Sequence, residues 1–300
     1  PTVEHKLSYA PYNYHISLFE KLVNYSKSIK SDNLFTLSIQ RRMHPQISNL
    51  LRSVFYNNNK DDEQLNDDES TLKIKKPFGF PNHIQFWLHE FEEETENIKM
   101  RSHVNIKEAQ ICCYLFMQML CRGYKSSEIT IVSLYKGQKR QIERELIKLI
   151  DKYYDDENLS IYDAFDFEND WKDIDDPPKD MNELIEFRKA LVGRYVKCLD
   201  DFQGEENEVI IISLTRSQKP GFVKNRNRAL VTLSRAREML VVLGNERVFG
   251  MSCKKNDQWK KISTVASQLS PFSMSKPDEQ GIAVNKCGIH KPNSKDIPSF

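Results

Sequence analysis

Arginines in two distant segments are the side chains best suited to bind phosphate. Arg41 and Arg42 are adjacent in the turn between an expected strand and an expected helix. Arg235 lies between two small residues, which leave room for a close approach. Guanidinium groups offer a planar fork of donors that matches phosphate oxygens. Ordinary surface ion pairs, or a solvent-facing basic helix, are the alternatives for these segments. Each segment is therefore a candidate binding site.

Three other segments place polar side chains where an expected strand ends, which is where parallel α/β folds bind ligands. Segment 133–138 offers hydroxyls and amides, and segment 214–217 joins a hydroxyl to a cation. Segment 198–206 combines carboxylates, an amide and a glycine that permits close backbone approach. Ordinary turns with solvent-facing side chains are the alternative. The candidate residues in these segments are Ser133, Tyr135, Cys198, Gln203, Gly204, Glu206 and Thr215.

Hydrophobic periodicity predicts the elements that position these residues. A strand, a polar turn and a long helix make half of a right-handed βαβ unit, and short apolar strands recur after it. The predicted fold class is therefore α/β, with a mainly parallel sheet flanked by helices. Helices are predicted at 16–29, 45–55, 106–121 and 137–150, and strands at 34–39, 84–88, 129–134, 195–199, 209–214 and 239–243.

Three further segments have a predicted structure. Segment 226–237 is expected to form a basic helix, on which Arg228 and Arg235 face the same way. Residues 151–192 are expected to be an acidic insertion, either a solvated loop or a segment that mimics nucleic acid by its charge. The cysteines on the helix at 106–121 are expected to lie in the core, namely Cys112, Cys113 and Cys121.

Composition narrows the class of protein. The 300 residues include 44 Lys and Arg against 43 Asp and Glu, so bulk electrostatic binding of nucleic acid is not expected. Six cysteines without framework spacing favour a reducing compartment. The sequence has no apolar run of the roughly 20 residues that a membrane span needs. It begins at Pro1 without a signal-peptide pattern, and we expect an excised segment of a longer protein.

Taken in order along the chain, the candidate segments resemble the second half of superfamily 1 helicases, in particular the up-frameshift-like RNA helicases. Gln40-Arg41-Arg42-Met43-His44-Pro45 resembles the family's Gln-Tyr-Arg-Met-His-Pro. Segments 129–138, 196–216 and 227–245 resemble its motifs IV, V and VI. Within the family, segment 203–208 looks most like the NF-X-type zinc-finger helicases. The resemblance implies a RecA-like P-loop NTPase fold and the second motor domain of a helicase.

The resemblance also implies roles for the candidate residues. Arg42 and Arg235 would be catalytic arginine fingers that reach across an interdomain cleft to the γ-phosphate. Glu206 would contact the ribose, and Gln203, beside Gly204, would couple the nucleotide state to nucleic acid. Arg41 replaces the family's adenine-stacking Tyr, and Cys198 replaces a small polar residue; a guanidinium can still stack on a base. The implied nucleic-acid contacts are Ser133, Tyr135, Cys198 and Thr215.

The implied cofactors are ATP and Mg²⁺, both held mainly by a first RecA-like domain that would carry the phosphate-binding loop. The implied partners are that domain and RNA. The implied process is RNA surveillance or silencing. The implied location is the cytoplasm, including ribonucleoprotein granules, with the nucleus as an alternative. The 300 residues contain no G-x-x-x-x-G-K-[ST] loop. We therefore expect this chain alone to hydrolyse no ATP.

The resemblance also divides the chain. Residues 1–36 would end the first motor domain, 37–250 would form the second, and 251–300 would lead toward a zinc-finger region. Cys287 and His290 alone are half of the four-ligand set that zinc needs.

Two other functions remain open at the level of sequence. One is a noncatalytic RNA-binding scaffold that keeps the helicase fold. The other is a DNA helicase of the same superfamily, because recognition of the 2′-hydroxyl depends on a few contacts that the motifs do not fix.

Overall fold

The computed structural model divides the chain into two compact units. One unit comprises residues 1–40 and 63–66, and the other comprises 41–62 and 67–300. The described residues are 13–14, 16–29, 34–35, 37–56, 65–75, 77, 80, 82–97, 102–154, 181–219, 221–248, 258–269 and 289–290.

The smaller unit contains helix α1 (Leu18–Ser28) and strand β1 (Ile39–Gln40). The Ser17 side chain caps α1 by accepting a hydrogen bond from the Glu20 N–H, 3.0 Å away. None of the residues of α1 is buried, and its apolar residues Leu18, Phe19 and Leu22 are exposed. The strand predicted at 34–39 was too long. Phe35 and Leu37 are 87% and 88% exposed, so the alternating pattern there covers no apolar surface.

A six-stranded sheet forms the centre of the larger unit, and every strand pair in its described part is parallel. The order across the sheet is β10 (Ile289–His290), β3 (Ile84–His89), β9 (Ala236–Asn245), β8 (Asn207–Ser213), β6 (Ile129–Ser133) and β7 (Val196–Cys198). Strands β8 and β9 are almost wholly buried because helices cover both faces of the sheet. The predicted α/β class with a parallel sheet is confirmed.

Helices pack on the two faces of this sheet in two apolar clusters. Ile47, Leu233 and Trp259 belong to one cluster, while Phe116 and Ile142 belong to the other. The helices are α2 (Pro45–Leu51, continued by a π-helical turn at Arg52–Tyr56), α3 (Ile106–Cys121), α4 (Lys136–Tyr154), α5 (Met181–Tyr195), α6 (Arg226–Leu233) and α7 (Gln258–Leu269). Three other short strands are β2 (Asn66–Asp67), β4 (Glu94–Asn97) and β5 (Ser102–Val104), of which β4 and β5 pair as an antiparallel hairpin.

One helical prediction needs correction. The basic helix predicted at 226–237 ends at Leu233, with Ser234 as its C-terminal cap, and Arg235 lies outside it. The reason is that Ala236 already pairs with Asn207 of β8 as the first residue of β9. Arg228 and Arg235 therefore do not share a helix face.

The segment expected as an acidic insertion contains helix α5. Leu191, Val192 and Tyr195 of that helix are buried in the core, so residues 181–192 are not a solvated loop. Residues 155–180 lie outside the described residues.

The cysteine prediction is confirmed for two of the three residues. Cys112 and Cys113 are buried, whereas Cys121, the last residue of α3, is exposed. Cys287 lies outside the described residues. In the ranges described, no helix is long and apolar enough to cross a membrane.

Candidate functional site

The turn that carries Arg42 is fixed by the start of α2. Pro45 is the first residue of that helix, where the missing N–H costs nothing. The His44 Nδ1 atom accepts a hydrogen bond from the Gln46 N–H at 3.2 Å and so caps the helix. The backbone N–H of His44 also donates to the carbonyl of Arg237 in β9, 2.8 Å away. This turn is therefore held against the beginning of β9.

Arg42 itself lies between a carboxylate and the end of a helix. Its Nε donates to Glu206, and its NH1 donates to the carbonyl of Ser234 at 3.1 Å. Ser234 caps the C-terminus of α6, where the partial negative charge of the helix dipole favours a cation. The side chains of Arg42 and Glu206 are 35% and 34% exposed. The guanidinium is therefore held in place but remains open to solvent.

Arg235 is the more buried of the two candidate catalytic arginines, with 7% of its surface exposed. Its NH1 donates to the carbonyl of Glu205 at 3.1 Å. Its buried Nε has no hydrogen-bond partner in the part of the chain that the structure describes. Burial, and then the nearby charge of Arg42, lower the pKa of Arg235. A buried guanidinium that has a spare donor and a second cation beside it suits an anionic ligand such as phosphate.

The loop between β7 and β8 supplies the carboxylates at this site. Gly204 has a φ of +87°, a left-handed conformation that glycine adopts without strain. Gln203, Gly204 and Glu206 are all exposed. Glu206 also accepts from Arg237 NH1 at 3.4 Å. The structure thus brings Glu206 together with Arg42 and leaves Gln203 and Gly204 on the same open loop.

Arg41 points to a different partner from Arg42. Its Nε lies 3.0 Å from Asp68 Oδ2, and its side chain is 76% exposed. An exposed ion pair of this kind contributes little stability, so the side chain can reorient at low cost.

The predicted RNA contacts lie at the carboxyl edge of the sheet. Ser133 of β6 pairs in register with both Cys198 of β7 and Ser213 of β8. Ser133 Oγ donates to the carbonyl of Tyr135 at 3.0 Å and accepts from its N–H at 3.2 Å. Burial raises the pKa of the Cys198 thiol. All four predicted contacts, Ser133, Tyr135, Cys198 and Thr215, are buried. Direct contact between their side chains and RNA would therefore require these strand ends to open.

Thr215 is held in an unusual backbone conformation where β8 ends. Its φ is 68°, in the left-handed region that β-branched residues avoid, at a cost of about 1–3 kcal/mol. Its N–H donates to Glu108 Oε1 at 2.8 Å, and Ser213 Oγ donates to the same oxygen at 2.6 Å. The other carboxylate oxygen lies 2.8 Å from His89 Nε2. This buried carboxylate therefore compensates for the strained backbone.

A second carboxylate, that of Glu93, forms an ion pair with Arg216, the cation that follows Thr215. Glu93 Oε2 lies 2.5 Å from Arg216 Nε and 3.3 Å from His103 Nδ1. Burial, and then the charge of Arg216, lower the pKa of His103. The His103 ring meets Tyr135 edge to face, with centroids 5.3 Å apart. Exposed lysines flank this group, namely Lys136 at the start of α4 and Lys219 after β8.

Sequence reasoning missed Glu108, His89 and Glu93. Glu108 looks like an ordinary first-turn acid of a helix, and His89 like the end of a strand. The local sequence offers one indication of a special role for Glu108, which is its position three residues after Asn105. The Asn105 side chain caps α3 by accepting a hydrogen bond from the Glu108 N–H at 3.0 Å. That spacing predicts a cap but not a buried carboxylate.

The parallel sheet covered on both faces and the polar groups at its strand ends define a RecA-like motor domain of the P-loop class. The chain matches the family described as AAA domain over residues 14–247, and it belongs to that family. It is also similar over most of its length to named helicases. Its likeness to up-frameshift-like and NFX1-type relatives confirms the resemblance to the superfamily 1 branch.

Three relatives illustrate the match. The chain is 30% identical over 246 residues to "Helicase required for RNAi-mediated heterochromatin assembly 1" of Schizosaccharomyces pombe, covering 81% of this chain and 20% of that protein. It is 30% identical over 254 residues to human "NFX1-type zinc finger-containing protein 1", covering 84% of this chain and 10% of that protein. It is 27% identical over 270 residues to "ATP-dependent helicase upf1" of Schizosaccharomyces pombe, covering 86% of this chain and 25% of that protein. The chain thus spans a quarter or less of these relatives.

Proposed function

We propose that this chain is the second motor domain of an ATP-dependent RNA helicase, and that Arg42 and Arg235 are its arginine fingers. The observation that supports this most is the position of both guanidinium groups beside the 205–206 turn, with a buried donor of Arg235 left unpaired. In an arginine exposed to solvent, water would satisfy every N–H donor, whereas the buried Nε of Arg235 has no hydrogen-bond partner among the described residues. A γ-phosphate is an anion of the right chemistry for that spare donor.

The residues of this chain would act by binding and orienting the nucleotide. Arg42 and Arg235 would donate to the phosphoryl oxygens as negative charge builds there, a role worth about 10³ to 10⁵ in rate in other NTPases. Glu206 would exchange its bond to Arg42 for a ribose hydroxyl. Gln203 would couple the nucleotide state to nucleic acid, and Arg41 would stack on adenine.

ATP and Mg²⁺ would be held mainly by a first RecA-like domain. In the described ranges no group of three or more His, Cys, Asp or Glu side chains is placed to hold a metal ion. The chemistry that Mg²⁺ supplies when bound is neutralisation of charge on the phosphates. The contribution of this chain would be the two guanidinium groups.

RNA would bind along the carboxyl edge of the sheet. Two of the relatives carry RNAi or up-frameshift names, which favours RNA over DNA. Lys136, Arg216 and Lys219 are cations at the ends of β6 and β8, and phosphate contacts of this kind set the affinity for a nucleic-acid backbone. The buried residues Ser133, Tyr135, Cys198 and Thr215 would contribute when closure of the two domains changes the strand ends.

The test is RNA-stimulated ATP hydrolysis by the full-length protein. Arg235→Ala should lower kcat by about 10³-fold, because the charge and the fork of donors are both lost. Arg235→Lys should recover little, since an ammonium lacks the planar fork. The affinity for single-stranded RNA should stay within about two-fold of the wild-type value, since the fingers act in the transition state.

Arg247→Ala is the matched control. Arg247 is also an arginine of the β9 region, but it is 57% exposed and its NH1 lies 3.3 Å from Glu92. Its removal should leave kcat unchanged. An equal loss of hydrolysis and RNA affinity in Arg235→Ala would contradict the finger assignment. RNA binding without any hydrolysis by the wild-type protein would favour a scaffold, and displacement of RNA by equal amounts of DNA would favour a DNA helicase.

A further inference from the structure

A buried carboxylate beneath the end of β8 lies outside the residues assigned to either binding site. Glu108 is completely buried in the first turn of α3. It accepts from Ser213 Oγ and from the Thr215 N–H, and it meets His89 Nε2. Because a carboxylate only accepts, the histidine must donate from Nε2. Three donors thus converge on one side chain.

The surroundings of Glu108 fix its position from several elements. Asn105 caps α3 by accepting the Glu108 N–H at 3.0 Å. Gln138 of α4 donates to the Asn105 carbonyl at 3.0 Å and to Ser213 Oγ at 3.1 Å. The carboxylate is therefore tied through hydrogen bonds to α3, α4, β3 and β8, and it has little freedom to move.

This network affects the position of Arg216, the residue after Thr215. The left-handed φ of Thr215 sets the direction of the chain as it leaves the sheet, and Arg216 comes next. The Arg216 side chain is 18% exposed and is the first cation after β8. We propose that Glu108 is a positioning residue, which holds the end of β8 in the conformation that presents Arg216 to the nucleic-acid backbone. The proposal rests on the proposed function, since it assumes that this edge of the sheet binds RNA.

Glu108→Gln isolates this role. The side chain keeps its size, but one acceptor oxygen becomes an amide that faces donors. If the amide nitrogen faces Thr215, the bond from the Thr215 N–H is lost. If it faces His89, the Thr215 N–H keeps only a neutral acceptor, and a hydrogen bond to a charged acceptor is about twice as strong. A buried carboxylate elsewhere provides the matched control, because Glu145 of α4 is 4% exposed. Within the described part of the chain its hydrogen bonds come from neighbours on its own helix, Gln141 at 2.8 Å and Lys148 at 3.1 Å.

The first measurement needs no RNA. In the full-length protein, hydrogen exchange in a peptide that covers residues 214–219 should become faster in Glu108→Gln and stay unchanged in Glu145→Gln. If Glu108→Gln does not fold, Ser213→Ala removes one donor from the same carboxylate and should speed the same exchange. Unchanged exchange in the folded variants would overturn the proposal.

The second measurement concerns RNA. The RNA concentration that gives half-maximal ATPase stimulation should rise about ten-fold in Glu108→Gln, the equivalent of one lost hydrogen bond, while kcat at saturating RNA changes less than about two-fold. Glu145→Gln should change neither value. A general loss of stability would instead lower kcat in both variants. Faster exchange with unchanged RNA dependence would overturn the positioning role.

A double-mutant cycle with Thr215→Gly completes the test. Glycine adopts the left-handed conformation without strain, so the backbone then needs less support. The effect of Glu108→Gln on RNA affinity should therefore be smaller in the Thr215→Gly background than in the wild type. Additive effects would overturn the proposal. If the wild-type protein itself binds no RNA, the proposed function fails, and the exchange result still decides whether Glu108 holds the strand end.

Discussion

Neighbouring residues of one type can meet different surroundings in this fold. Arg41 and Arg42 are adjacent, yet Arg41 extends to Asp68 and is largely exposed, whereas Arg42 meets Glu206 and the end of α6. Only Arg42 therefore shares its site with Arg235.

His44 gives this turn a dependence on pH. Its Nδ1 must stay unprotonated to accept the Gln46 N–H, and its ring stacks on His83 with centroids 3.4 Å apart. Burial, followed by the charge of His83 and opposed by that of Asp67, lowers the pKa of His44 from 6.5 to about 4. Between these two values the unfolded chain binds a proton that the folded chain does not, so acid favours unfolding.

We therefore expect the larger unit to lose stability as the pH falls from about 6.5 toward 4. The urea midpoint should be lower at acidic pH than at neutral pH. His44→Asn keeps a capping acceptor but cannot titrate, so it should reduce this difference. A pH dependence identical to that of the wild type would show that His44 does not contribute to it.

At the scale of elements, the segment between β3 and β4 restrains the end of β8. The Glu93 N–H donates to Ser217 Oγ at 3.2 Å, and the Glu93 carboxylate pairs with Arg216. Gly221 also packs closely here, because a Cβ atom at that position would collide with the Tyr135 hydroxyl and come close to the Arg216 side chain. The proposed phosphate contact of Arg216 must therefore compete with an internal carboxylate.

Glu93→Gln should strengthen RNA binding. Loss of the ion pair releases Arg216 for phosphate, and we expect the affinity to rise roughly five-fold, which corresponds to about 1 kcal/mol. Fluorescence anisotropy with a labelled single-stranded RNA measures the change, and the gain should shrink as salt increases.

Glu92→Gln is the control for the change in net charge. Glu92 is 64% exposed, and its partner is Arg247 rather than Arg216. Its substitution should strengthen RNA binding distinctly less. Equal gains in the two variants would mean that total charge, and not release of Arg216, sets the affinity.

At the scale of the whole molecule, the proposed ATP site is divided between two domains. The proposed fingers, Arg42 and Arg235, come from this chain, while no G-x-x-x-x-G-K-[ST] loop occurs in its 300 residues. Hydrolysis would then depend on closure of both domains around the nucleotide. This division would make the reaction responsive to RNA bound across the same two domains.

The 300-residue chain by itself should bind ATP weakly and hydrolyse none. A phosphate-release assay with and without RNA measures this directly, and RNA binding by the same preparation shows that it is folded. ATP hydrolysis that persists in the purified chain and disappears in Arg235→Ala would contradict the divided site.

The sequence by itself determined the class of fold, because apolar periodicity reports which faces are buried. It placed the helix at Ile106–Cys121 and the run of parallel strands, and the ordered motifs determined the helicase family. It went wrong at the end of α6 and at Cys121, where a pairing partner or the local surface overrides the local pattern.

Only the tertiary structure decided which polar groups meet. Arg42 and Glu206 are 164 residues apart, and Glu108 and Thr215 are 107 residues apart. It also decided that the predicted RNA contacts are buried while Lys136 and Lys219 are exposed. The physical reason is that periodicity records burial along one element, whereas a hydrogen bond across the sheet depends on strand order and register, which local spacing does not encode.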